Sequence, residues 1–248
     1  MVMRVLMIAV TALTAAGAVY CDEAAAEVIR GFQRYTYREA FPRGDGDDGY
    51  RYRVVVTEAG ARSQQERESE VIVSPGEQAA VIFFENRLQE MIMLRRFDSE
   101  RAWMISSRAR RPLMISANRN VVSNYNVEDL TGADFANDYR IEAVIDAHTV
   151  LLEALDRKPA FPYVSLRRID AGSYTARYHS RNRKPIKEIR YSLGTVDGIR
   201  FWSDFLVTDL VFRDVPDVRM TTVAVRSVSV PRSLFYPNTM NRFFPIFD

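Results

Sequence analysis

Short apolar segments separated by turn residues recur along most of this chain, and that rhythm constrains its fold more than any other feature. The segments are Tyr50–Thr57, Gln65–Val73, Ala79–Glu85, Leu88–Arg95 and Ala102–Ser106, then Tyr139–Val144, Thr149–Leu155, Tyr163–Ile169, Tyr174–His179, Ile186–Leu193, Arg200–Val207 and Arg219–Val228. The turn signals between them include Glu58-Ala59-Gly60, Asp170-Ala171-Gly172 and Val196-Asp197-Gly198, which favour antiparallel neighbours over βαβ crossovers. About a dozen strands in one antiparallel sheet curl. The expected fold is mainly β with a few helices.

Two kinds of strand stand out. In Tyr174–His179 and Ile186–Leu193 apolar residues alternate with polar ones, so one face is dry and one is wet. Ala79–Phe84 and Met91–Leu94 are apolar on both faces, which predicts cover on both sides. Two segments have helical character. Ala25, Val28, Phe32, Tyr35 and Ala40 fall on one helical face between Asp22 and Phe41, with acids early and arginines late. Ser233–Phe243 predicts a short helix near the end of the chain, after Val230-Pro231.

Residues 1–21 read as a secretory signal peptide: Arg4 supplies the positive start, and Val5–Ala16 is an apolar run too short to span a bilayer. Cleavage after Ala18 and cleavage after Cys21 both fit. Cys21 is the only cysteine and stands where an acylated lipoprotein cysteine stands, but the bulky Tyr20 before it departs from a lipobox. Residues 22–248 then form one domain, expected in the periplasm. The formal net charge of +2 gives no reason to expect nucleic acid. The positive charge is nearly all arginine, with lysine only at Lys158, Lys184 and Lys187.

The stretch Ser123-Asn124-Tyr125-Asn126-Val127-Glu128-Asp129-Leu130 resembles the S-D-F-S-Y-E-D-L signature of LolA-like outer-membrane lipoprotein-sorting proteins. As in that family, it follows a tryptophan strand at Trp103 and an R-R-x-x-x-I-S segment, here Arg110-Arg111-Pro112-Leu113-Met114-Ile115-Ser116. Tyr163–Arg168, Pro185–Glu188, Gly198–Trp202 and Val230–Phe243 resemble later family segments in the same order, so the likeness runs mainly from Ala79 to Phe243. Val122 replaces the family's glycine, and Ile105-Ser106-Ser107 its Y-L-P turn, which puts the local loop shape in question. The resemblance implies a strongly curved, incomplete β-barrel lidded by helices, and a carrier of lipoprotein acyl chains that needs no cofactor. An inner-membrane release complex or an exporter would be its partner.

Phe32, Phe83, Met91, Met93, Trp103, Trp202, Phe205 and Met220 are the candidate lipid-groove residues, since methionine and aromatic rings suit a wall that accepts variable chains. Each taken singly is more often an ordinary core residue. Ser123, Tyr125, Glu128 and Asp129 carry the signature and are read as structural, with Glu128-Asp129 capping a short helix begun at Asn126. Asp45-Gly46-Asp47-Asp48-Gly49 lacks the register of a calcium loop. His148 and His179 have no metal-site spacing, and no G-x-S-x-G is present, so neither a catalytic nor a metal site is expected. The rival readings are a hydrophobic-ligand-binding accessory of an envelope transporter, an outer-membrane β-barrel, and an enzyme of unfamiliar type.

Overall fold

The computed structural model describes residues 23–41, 48–59, 64–86, 89–97, 99, 101–116, 120–122, 125–126, 134–155, 161–212 and 214–244. The signal-peptide segment, Ser123, Glu128 and Asp129 lie outside these residues, as do positions 45–47 of the acidic loop.

Fifteen strands are described: β1 Asp48–Ala59, β2 Gln64–Ser74, β3 Ala79–Asn86, β4 Gln89–Arg96, β5 Arg101–Ser106, β6 Leu113–Ser116, β7 Asn120–Val122, β8 Tyr125–Asn126, β9 Tyr139–Asp146, β10 Thr149–Ala154, β11 Tyr163–Asp170, β12 Ser173–His179, β13 Pro185–Val196, β14 Ile199–Asp209 and β15 Asp217–Ser229. Thirteen of them form one antiparallel sheet in the order β6-β5-β4-β3-β2-β1-β15-β14-β13-β12-β11-β10-β9, while β7 and β8 pair with each other. Two hairpin meanders, β1 to β6 and β9 to β15, are thus joined where the first strand of one pairs with the last strand of the other. The register along that seam runs from Asp48 opposite Ser229 to Ala59 opposite Asp217. The sheet curves around its apolar face and is not closed: β6 and β9 end it. This is the expected incomplete barrel. The outer-membrane barrel alternative requires closure, and it also requires an apolar band facing outward; here the largest apolar cluster lies inside, under helices.

Strand alternation explains the cover. In β3, Ala80, Ile82 and Phe84 face one way and Ala79, Val81 and Phe83 the other; in β4, Met91 and Met93 oppose Ile92 and Leu94. Both faces are apolar, and both are covered. The inner face lies under two helices, α1 over residues 23–33 and α2 at Tyr37–Ala40. The outer face of β3 to β5 lies under two 3₁₀ turns, η1 at Arg232–Phe235 and η2 at Pro237–Arg242. The terminal segment expected as one helix is therefore split by Pro237, and it covers the convex side.

The helix expected over Asp22–Phe41 is also divided. After Gln33 the chain tightens, with Tyr35 N donating to Phe32 O at 3.2 Å and Thr36 N to Gln33 O at 3.0 Å. Thr36 Oγ1 also donates to Gln33 O at 2.9 Å. The Phe32 carbonyl accepts in addition from Trp202 Nε1 at 2.8 Å, and the Tyr35 carbonyl accepts from the Trp202 backbone N at 2.9 Å. A strand distant in sequence takes the bonds that would have continued the helix. Asn126 closes the two-residue strand β8, and the short helix expected to begin there lies outside the described residues.

Candidate functional site

The inner face is built from rows of side chains that cross the sheet strand by strand. One row runs Val225, Tyr52, Val71, Ile82, Met93, Met104 from β15 through β1 to β5. In the other half a row runs Val150, Leu166, Ala176, Ile189, Val207, Val218 from β10 to β15. Between them Tyr174, Tyr191, Phe205, Met220 and Val56 continue from β12 to β1. These rows give one apolar surface that reaches across both meanders, and α1 and α2 lie on it.

Phe32 is the centre of the helix contact. Its ring stacks on Trp202 at 5.4 Å and 21°, and meets Tyr191, Phe135 and Tyr174 at 4.8, 5.0 and 5.6 Å. Phe135 comes from a one-turn helix, α3 at Phe135–Asp138, which Asp134 caps by accepting from Asn137 N at 3.1 Å. Gly31 permits this approach, because a Cβ there would stand 2.5 Å from the Tyr174 hydroxyl. Further along, Tyr37 stacks on Tyr52 at 4.7 Å and touches Phe201 and Phe205. Offset and edge-on pairs of this kind add stability beyond the area they bury.

Six of the eight sequence candidates come together here: Phe32, Met91, Met93, Trp202, Phe205 and Met220. Phe83 and Trp103 do not. Both belong to the outer cluster under η1 and η2, with Leu234, Phe235, Met240 and Phe243. The reason is parity: Ala102 and Phe84 take the inner face, which sends Trp103 and Phe83 outward. Of the signature residues, Tyr125 lies in the short strand β8, away from the large sheet's pairing. Sequence reasoning missed Tyr37, Tyr52, Tyr174 and Tyr191 as groove residues, although the alternation around Tyr174 and Tyr191 already marked their face as the dry one.

The chemistry of this interior is that of apolar burial. Burial pushes the phenols of Tyr37 and Tyr52 far above the usual tyrosine range, and the hydrogen bond between Tyr37 and Thr222 only partly offsets this for Tyr37. Among the described residues no three His, Cys, Asp or Glu side chains gather to hold a metal ion. No described helix is long and apolar enough to cross a membrane.

An open antiparallel half-barrel whose apolar concave face is lidded by an N-terminal helix is the architecture of LolA-like proteins, and solved structures match it. A LolA superfamily protein from Nitrosomonas europaea superposes with a TM-score of 0.65 at 16% identity, covering 86% of this chain and 97% of its own. An outer membrane lipoprotein-sorting protein domain from Vibrio parahaemolyticus gives 0.63 at 11% identity, over 86% and 98%. A DUF1329 family protein from Desulfovibrio piger gives 0.62 at 13% identity, over 87% and 96%. No family model matches the sequence, and no curated protein matches it. The chain has the LolA-like fold, and at these identities the likeness is one of fold.

Proposed function

We propose that this protein is a periplasmic carrier that holds the acyl chains of lipoproteins, or of lipids, against the inner face of its half-barrel and delivers them toward the outer membrane. The observation that supports this reading is the apolar surface running uninterrupted from Val225 to Met104 and from Val150 to Val218 beneath a helix that crosses it. Each buried methylene is worth about 0.8 kcal/mol, so a sixteen-carbon chain brings roughly 12 kcal/mol. Such a molecule does not cross water unaided, and a surface of this extent can offset the cost.

The carrier acts by binding and performs no chemical step. Its interior is filled by its own side chains: Phe32 and Ile82 are fully buried, and Met93 and Trp202 nearly so. Loading therefore exchanges side-chain contacts for acyl contacts, with α1 leaving the sheet. Met91, Met93 and Met220 suit that exchange because the unbranched thioether repacks at little cost. A release complex of the inner membrane, or an exporter, would supply the cargo.

The test is direct binding. The folded protein takes up a fluorescent fatty-acid probe, a lipopeptide displaces it, and native mass spectrometry of protein purified from a membrane-rich lysate shows a co-purified lipid mass. Failure to bind the probe at any chain length, in protein with an intact thermal melt, overturns the reading.

A further inference from the structure

The outer face of β9 to β13 carries a groove of about 750 Å³ on the side of the sheet away from α1. Its floor follows from register. Ser165, Arg177 and Glu188 form one cross-strand row, and Arg167, Thr175 and Arg190 the next. Adjacent strands lie about 4.8 Å apart, so Arg167 and Arg190 approach Thr175 from either side. The hydroxyls of Ser165, Ser173, Thr175 and Ser192 lie among these arginines.

The cationic wall is held in place. Glu188 is 6% exposed and accepts from Arg177 Nε at 3.0 Å and Nη2 at 2.6 Å, and from Arg190 Nε at 3.1 Å. Each guanidinium has five N–H donors, so both keep donors to offer after holding Glu188. Arg167 is paired through its backbone with Thr149 and Thr175, and its guanidinium makes no hydrogen bond to another described residue. Asp146, a carboxylate of the same groove that feels the charge of Arg167, already accepts from His148 N at 2.7 Å. Three cations therefore meet two carboxylates, and one of those carboxylates serves to aim two of the cations. At one end, His179 Nδ1 donates to Arg183 O at 3.3 Å, which leaves Nε2 to accept from Ser165 at 2.9 Å. The groove's lip is apolar, since Ile145 is 59% and Ile169 53% exposed.

From this juxtaposition we propose that the groove binds a phosphate group carried on an apolar body, with the oxyanion between Arg167, Arg177 and Arg190 and the apolar part against Ile145 and Ile169. Guanidinium forks match phosphate oxygens in charge and geometry, the hydroxyls add neutral donors, and the volume suits a ligand of modest size. This site is independent of the acyl-binding face, because strand alternation sends its side chains to the opposite side of the same strands.

The probe is decyl phosphate, kept below its micellar concentration and titrated into the full chain by calorimetry, with inorganic phosphate and decyl maltoside as the separated halves of the ligand. The expected result is one equivalent of decyl phosphate bound at least tenfold more tightly than either half. Arg167→Ala should weaken it at least tenfold with an unchanged melting temperature, since Arg167 is exposed. Inorganic phosphate binding as tightly as decyl phosphate would reduce the ligand to a free oxyanion and overturn the apolar half of the proposal. Decyl maltoside binding as tightly, or equal affinity in the wild type and Arg167→Ala, would overturn the phosphate half. Competition by the fatty-acid probe that persists undiminished in Arg167→Ala would move the site to the inner face and overturn the proposal while leaving the carrier reading intact.

Discussion

The two halves of the sheet share one covered inner face but present opposite outer faces. On β2 to β5 the outer residues Ile72, Val81, Ile92, Leu94 and Ile105 are apolar, and the C-terminal turns η1 and η2 shut them from water. On β11 to β13 the outer residues Ser165, Arg167, Arg177, Glu188 and Arg190 are polar, and no described segment covers them. The difference shows that a curved sheet need not use its convex side uniformly. One half makes it a second core and the other keeps it as a wet working surface.

The largest expected effect comes from opening the covered half. Phe235 is 1% exposed in the outer cluster, and Phe235→Ala should cost about 3–5 kcal/mol in urea unfolding, as large-to-small core changes do. Ile169→Ala, at an exposed outer position of the other half, should change stability by about 0.5 kcal/mol or less. Equal costs at the two sites would erase the distinction between second core and wet surface.

The sheet was legible because two-residue periodicity is a local signal, and it survives wherever one face is wet. It failed where both faces are dry. In β5 the run Ala102-Trp103-Met104-Ile105 is apolar throughout, so nothing in it says which face holds Trp103, and the small Ala102 takes the inner side. Phe83 and Phe84 pose the same ambiguity. β6 was overlooked as a strand because Leu113 and Met114 are 57% and 51% exposed on a sheet edge, where burial imposes no alternation. The break after α1 was invisible for another reason: the groups that end the helix belong to Trp202, and no local propensity encodes a partner that far along the chain. For the candidate site, residue type located the aromatic and methionine wall, while parity decided which members reached it.

A middle-sized effect concerns the wet half and pH. Burial opposes ionisation of Glu188, but the hydrogen bonds from Arg177 and then Arg190 prevail and hold its carboxyl below the ordinary 4.5. A carboxylate whose folded value is depressed contributes stability that is present above its unfolded value and is lost as pH falls through the folded one. Unfolding midpoints measured from pH 7 to pH 3 should therefore drop steeply below about pH 4.5 in the wild type. They should drop less steeply in Glu188→Gln, which starts from a lower midpoint at pH 7 because it leaves two guanidiniums without their counter-charge and with one acceptor oxygen in place of two. Parallel curves for the two proteins would show that Glu188 ionisation does not stabilise this face.

The smallest expected effect asks whether charge helps hold the cover. Arg232 Nε lies 3.5 Å from Glu77 Oε1, tying η1 to the β2–β3 turn, with the arginine side chain 62% exposed. An ion pair so open to water gains little Coulomb energy and constrains two long side chains, so it contributes about 0.2–1 kcal/mol. Glu77→Gln should lower stability by no more than that at low salt. At about 0.5 M NaCl the difference from wild type should nearly vanish, because screening then acts within a few ångströms. The contrast with Phe235, three residues from Arg232 on the same 3₁₀ turn, isolates burial from charge as the force that seats the C-terminal cover. A salt-insensitive loss of several kcal/mol on Glu77→Gln would mean that the turn between β2 and β3, and not the apolar underside of η1, holds the second core closed.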